Sequence, residues 1–300
     1  MANREWIIDV PETFDYDKNI AYLSRSPNEC MHAIVDGTLY KRIPDGVSYP
    51  LIAISGCGNE PIRVRLCDPS ALLDDQQAQA ITHYVREWFD LDTDLAPFYA
   101  MAQEDDLLRD VVSRFSGLRI LGIPDLFEAM CWGILGQQIN LPFAYTLKRR
   151  FVEHFGDFIE HDGLRHWKFP DPAVVAKLTI EQLTPLQITG RKSEYLIGVA
   201  RLIADGVISK AQLLAATDVR EAERMLVGIR GIGPWTANYV LMRCLKFASA
   251  FPIDDVGLHN AIKSVLGLPD KPSIAHIRRL SAGWAGWEAY ATFYLWRVLY

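Results

Sequence analysis

Gly231-Ile232-Gly233-Pro234-Trp235-Thr236-Ala237, followed at a short interval by Phe251-Pro252-Ile253-Asp254-Asp255, is the stretch on which the reading of this chain turns. The two glycines suit a tight turn with positive φ and let a ligand come close to the main chain. Gly233 is placed as a helix cap and Pro234 as the first helical residue. The unpartnered N–H groups of such a helix start point outward and suit a phosphate. Behind the turn, Tyr239, Val240, Met242 and Arg243 continue a helix; ahead of it, Ala222, Met225, Leu226 and Ile229 show three- and four-residue apolar spacing. A helix, a hairpin at 226–237 and a second helix are expected, an element that grips a nucleic-acid backbone without reading sequence. The same residues also suit an ordinary interhelical turn. Downstream, Val256, Leu258, Ala261, Ile262, Val265 and Leu266 predict an amphipathic helix, and an aspartate just before it is the usual N-cap. One cap accounts for one carboxylate. Asp254 is assigned as the cap, and Asp255, in the loop 251–255, is left for chemistry.

Gly231 to Tyr239 reads GIGPWTANY, and Pro252 to Asp255 reads PIDD. With these motifs the chain resembles the helix-hairpin-helix/Gly-Pro-Asp superfamily of DNA base-excision glycosylases, and within it the bacterial DNA-3-methyladenine glycosylase II (AlkA) type. The resemblance runs from about Phe89 to Tyr300. Phe127-Glu128-Ala129 and Ile134 to Gln138 look like the family's first DNA-contacting helix and loop. Trp284 to Ala291 resembles its Trp-x-Pro-Trp-Arg-x-Tyr-Ala segment, with Gly286 and Glu288 in place of Pro and Arg.

The resemblance implies a mainly α fold with an N-terminal α+β domain. It implies Asp255 as catalytic carboxylate, a base pocket of Trp235, Tyr239 and Trp296, and DNA contacts at Gly231, Gly233, Thr236, Gln137 and Gln138. Gln138 falls on the family's wedge position, where a leucine is usual; two polar residues closing a helix is the other open reading. Trp235 has its own alternative, since a tryptophan is often just core. The implied reaction is hydrolytic removal of N-alkylated purines, which carry positive charge and are drawn to aromatic faces. Relatives that also cut the backbone have a lysine at the position of Trp235, so a monofunctional enzyme is expected. Glycosylases for oxidised or mismatched bases, and a non-catalytic helix-hairpin-helix DNA-binding protein, are the alternatives. The implied partner is double-stranded DNA holding a damaged base, with no membrane and a monomeric protein. No organic cofactor or metal site is implied, save a monovalent cation that the family admits at the hairpin. Some relatives hold an iron–sulfur cluster on four cysteines near the C-terminus; no cysteine follows Cys244 here, so no cluster is expected.

The net charge of −6 weighs mildly against a DNA-binding chain. Its distribution softens that. Residues 1–115 carry 10 basic and 20 acidic side chains, and residues 116–300 carry 21 and 17, so a DNA footprint is expected on the second part. Candidate phosphate contacts there are Lys148, Arg149, Arg150, Arg191, Lys192, Arg230 and Arg243. Five scattered cysteines give no metal or disulfide pattern. The start MANREWIIDV lacks the basic-then-apolar form of a secretion signal, so a soluble, cytoplasmic protein is expected, nucleoid-associated if bacterial.

Residues 1–88 are expected to form an α+β unit. It should hold a helix over Tyr16–Leu23 and strands at Cys30–Val35, Thr38–Arg42, Pro50–Ser55 and Ile62–Leu66, then a helix over Ala71–Trp88 capped at Pro69-Ser70. Residues 89–300 are expected to be an all-helical region of two lobes.

Overall fold

The computed structural model describes residues 4–300; the first three residues of the N-terminal segment lie outside the described residues. Strands β1 (Glu5–Ile8), β2 (Ala33–Val35), β3 (Thr38–Arg42), β4 (Leu51–Ser55) and β5 (Ile62–Leu66) form one antiparallel sheet in the order β1-β5-β4-β3-β2. Asp36 and Gly37 both take positive φ in the two-residue turn between β2 and β3, the geometry a twisted hairpin selects. Along β5, Ile62, Val64 and Leu66 are buried while Arg63 and Arg65 are exposed, so one face packs on the core. Strand β2 is shorter than the expected Cys30–Val35. Glu29 Oε1 accepts the backbone N–H groups of Cys30 and Met31 at 2.8 and 2.7 Å, holding that backbone in a loop.

The helix Tyr16–Leu23 is as expected, capped by Asp15, whose side chain accepts the Lys18 N–H. The next helix begins at Asp75 rather than Ala71, because Asp74 and Gln77 form a reciprocal capping box. The expected break between residues 88 and 89 falls in its last turn.

Beyond Phe89 helices dominate, but the expectation of an all-helical region from 89 to 300 is corrected by a β-hairpin. Strands β6 (Asp157–His161) and β7 (Leu164–Lys168) pair antiparallel around Asp162-Gly163, again with both φ positive. β7 packs against β3 of the sheet. A single hydrophobic core runs from Ile8 in β1 to Trp296 in the terminal helix Glu288–Arg297. Buried charge joins the two parts as well. Lys148, on the helix Leu141–Phe155, pairs with Glu128 at 2.9 Å and with Glu29 from the N-terminal loop at 3.4 Å. Among the described residues, no helix is long and apolar enough to cross a membrane.

Candidate active site

The leading helix of the hairpin spans Val219–Val227, capped by Asp218, and the following helix spans Pro234–Arg243, with Gly233 as N-cap and Pro234 in its first turn. Gly231 takes φ +97, and a Cβ there would lie 2.3 Å from the Tyr195 ring. This position needs glycine twice over, for its dihedral and for its neighbour. Gly233 departs from expectation: its φ is −88, open to any residue. Its contribution is space, since a Cβ there would meet nothing within 4 Å. No side chain caps the helix it opens. The N–H groups of the first turn therefore face an open mouth, with the positive end of the helix dipole behind them.

The loop after the helix Leu126–Leu135 docks onto this hairpin. Gln137 Nε2 donates to the Gly231 carbonyl at 2.8 Å and to Thr236 Oγ1 at 3.1 Å. Thr236 is buried, and its hydroxyl accepts that bond, so its side chain faces inward. Gln138 is exposed, with φ +56, a left-handed conformation that lifts its side chain clear of the preceding helix. Arg191 is exposed in the first turn of the helix Gly190–Ala204, and Lys192 donates to the Leu135 carbonyl at 2.7 Å. Arg230 is paired with Glu194 at 2.8 Å. Two of the expected phosphate contacts are withdrawn. Lys148 is buried in its ion cluster, and Arg243 is buried, donating to the Leu121 carbonyl and to the Tyr239 hydroxyl.

Asp255 stands at the start of the helix Val256–Leu266 and is its N-cap: Oδ1 accepts the Leu258 N–H at 2.7 Å. The assignment of the cap to Asp254 is corrected, for Asp254 is exposed and one residue too early. Asp255 receives more than the cap. Trp235 Nε1 donates to Oδ2 at 2.8 Å, and Trp296 Nε1 donates to Oδ1 at 2.7 Å. Each carboxylate oxygen thus takes an indole N–H, and bonds of this charge-assisted kind fix both position and orientation. Tyr239 lies between the indoles, with ring centroids 5.7 Å from Trp235 and 6.2 Å from Trp296. Burial pushes the Tyr239 hydroxyl up to about 12, opposed by the adjacent Arg243, so it stays protonated at neutral pH. The structure brings Trp235, Tyr239, Trp296 and Asp255 into one cluster beside the hairpin.

Sequence reasoning passed over Gly257. A Cβ there would lie 2.8 Å from Asp255 Oδ1 and 3.2 Å from Trp296 Nε1. A glycine two residues after an aspartate cap is a faint signal, legible only once the indoles are placed. Gly286, standing where the family has proline, takes φ +84, which proline cannot adopt. Among the described residues no group of three His, Cys, Asp or Glu could hold a metal ion. The hairpin offers backbone carbonyls instead, the hard oxygen donors that suit a monovalent cation; those of Ile229 and Gly231 already accept Ile232 N–H and Gln137.

Residues 131–286 match the family described as HhH-GPD superfamily base excision DNA repair protein. The chain belongs to that superfamily. Residues 20–130 match the 8-oxoguanine DNA glycosylase N-terminal domain. A DNA-3-methyladenine glycosylase of Bacillus subtilis is 50% identical over 98% of this chain and 97% of its own length. DNA-3-methyladenine glycosylase 2 of Escherichia coli is 29% identical over 58–60% scale coverage, 60% of each chain. A solved 3-methyladenine DNA-glycosylase from Archaeoglobus fulgidus superposes with a TM-score of 0.83 over 97% of both chains at 22% identity, a likeness of fold. The mainly helical HhH-GPD fold with a small N-terminal antiparallel sheet is therefore the one the motifs led us to expect.

Proposed function

We propose that this chain is a monofunctional DNA glycosylase that removes N-alkylated purines by hydrolysing the N-glycosidic bond. The observation that carries this reading is the carboxylate of Asp255, held through both oxygens by Trp235 and Trp296 beside the hairpin mouth. The likeness to the Bacillus subtilis DNA-3-methyladenine glycosylase supports it. A base within a duplex is out of reach of such a site, so the nucleotide is flipped out of the stack. The N–H groups at the start of the helix Pro234–Arg243 hold a phosphate, Gln137 braces the hairpin, and exposed Gln138 enters the gap that the base leaves. In the pocket, the faces of Trp235, Tyr239 and Trp296 attract a cationic alkylated purine. When the C–N bond breaks, its electron pair leaves with the base and positive charge grows on the sugar. Asp255 stabilises that charge where it develops. Water then bonds to the sugar carbon and gives up its proton.

Trp235 supplies no amine for attack on the sugar. Lys246 is no substitute: its ammonium is buried and bonded to the Ile120 carbonyl, away from the carboxylate. Its pKa is lowered to about 8, chiefly by burial. The protein acts as a monomer in the cytoplasm, on DNA, with residues 1–88 as scaffold and residues 89–300 as a glycosylase region of two lobes.

Duplexes each holding one lesion, including an oxidised guanine, test the proposal. Alkylated purines should be lost, leaving abasic sites that break only after alkali, and borohydride should trap no protein–DNA adduct. A trapped adduct, or excision confined to oxidised guanine, would overturn the reading.

A further inference from the structure

Arg25 lies two residues beyond the helix Tyr16–Leu23, in the loop that leads to the sheet. Its guanidinium sits over the Tyr22 ring, 3.9 Å from the centroid, and 5.6 Å from the centroid of Tyr145. Nη1 donates to the Tyr22 carbonyl at 3.0 Å. Among the described residues no carboxylate pairs with Arg25. Glu29, the acid closest in the chain, is occupied by Lys148 and by two backbone N–H groups.

This cation faces the candidate site. Arg25, Tyr145, Tyr239 and Arg243 line one cavity of about 40 Å3, room for a few waters. Tyr239 is the middle ring of the aromatic cluster. On the other side, Tyr22 packs on Phe293 at 4.7 Å and Phe293 on Trp296 at 6.2 Å, and Trp296 holds Asp255. Tyr300, whose hydroxyl is raised by burial first and then by Tyr22, is also acted on by both Arg25 and Asp255. Cation and carboxylate thus border the same space.

A fixed cation is at odds with a pocket meant only for cationic bases. We infer that Arg25 is a base-contacting, specificity-determining residue, donating hydrogen bonds to a flipped neutral purine whose six-membered ring carries a carbonyl. The inference rests on the glycosylase reading above. Arginine matches the oxygen and neighbouring ring nitrogen of such a purine with two parallel donors. The chemistry of departure points the same way. An alkylated purine leaves as a neutral molecule, whereas a neutral purine takes the bonding electron pair and leaves as an anion. Arg25 stabilises that anion as it forms, and it later takes a proton from water.

The test compares wild type, Arg25→Ala and Arg25→Lys under single turnover. One substrate holds hypoxanthine, a neutral purine with the carbonyl; the other is methylated DNA releasing 3-methyladenine, which has none. Thermal unfolding checks that each variant folds. Arg25→Ala should lower the hypoxanthine rate by about 100-fold more than the 3-methyladenine rate, and Arg25→Lys, with charge but no fork, should fall between. An unchanged ratio of the two rates in the folded variants, or a wild type that releases 3-methyladenine but never hypoxanthine, overturns the inference. A wild type that releases neither overturns the glycosylase reading instead. Should Arg25→Ala not fold, the ratio in Arg25→Lys decides alone.

Discussion

Asp255 carries two duties on one carboxyl group, and substitutions separate them. Asparagine keeps an oxygen for the Leu258 N–H but lacks the charge, so Asp255→Asn should melt close to wild type while single-turnover excision falls at least about 100-fold. Asp255→Ala should lose the cap too, about 0.5–2 kcal/mol of stability. Normal excision by a folded Asp255→Asn protein would remove the carboxylate from the mechanism. Gly257→Ala tests how tightly that group is held. The added methyl would press on Asp255 Oδ1 and Trp296 Nε1, so excision should slow by about tenfold or more while affinity for undamaged DNA is kept. The motif made Asp255 readable from sequence, but not which of two adjacent aspartates caps the helix. Either residue type suits the cap, and only the backbone path, with Asp255 extended and Asp254 outside, decides. Arg25 was unreadable for a different reason: what places it is contact with residues far along the chain.

At the scale of elements, the hairpin works through emptiness at Gly233 and tightness at Gly231. A side chain at Gly233 would fill the space above the helix start, and a negative one would oppose the dipole there. Gly233→Asp should weaken binding to damaged and undamaged duplexes alike, by roughly tenfold or more in a titration, since a phosphate contact carries no sequence information. A loss confined to one lesion would contradict that role. Glycines, proline and apolar spacing made this element legible. The β6–β7 hairpin was missed although Asp162-Gly163 is the same kind of turn signal as Asp36-Gly37. Its strands expose Phe158, Ile159 and Leu164 and so lack the clean alternation that marks a half-buried strand. In the same way Pro69-Ser70 drew attention from the true cap at Asp74, whose partner Gln77 lies three residues on.

At the scale of the molecule, the sheet and the helices meet through groups that titrate. Burial first, then Lys41 and Lys148, lower the His32 imidazole to about 4, so it is neutral in the folded protein at neutral pH. In the unfolded chain it takes a proton near pH 6.5. Between these values the unfolded state binds more protons, so stability falls as pH drops through this window, by about 2–3 kcal/mol at most. Glu29, held by Lys148 against the cost of its burial, lies below the usual carboxylate range and adds to the loss below pH 4.5. Urea unfolding at pH 7 and pH 5 should show the difference, and His32→Gln should flatten it; equal stabilities in wild type would refute the assignment. The pocket has a further property. Tyr22 meets Phe293, and Arg243 reaches back 221 residues to the Tyr22 hydroxyl. Contacts so far apart along the chain close late, because the intervening segments must first find their places. During refolding from urea, helical signal should therefore return before the power to excise a base. Recovered turnover then marks the completion of the last and most distant pairing rather than the first collapse.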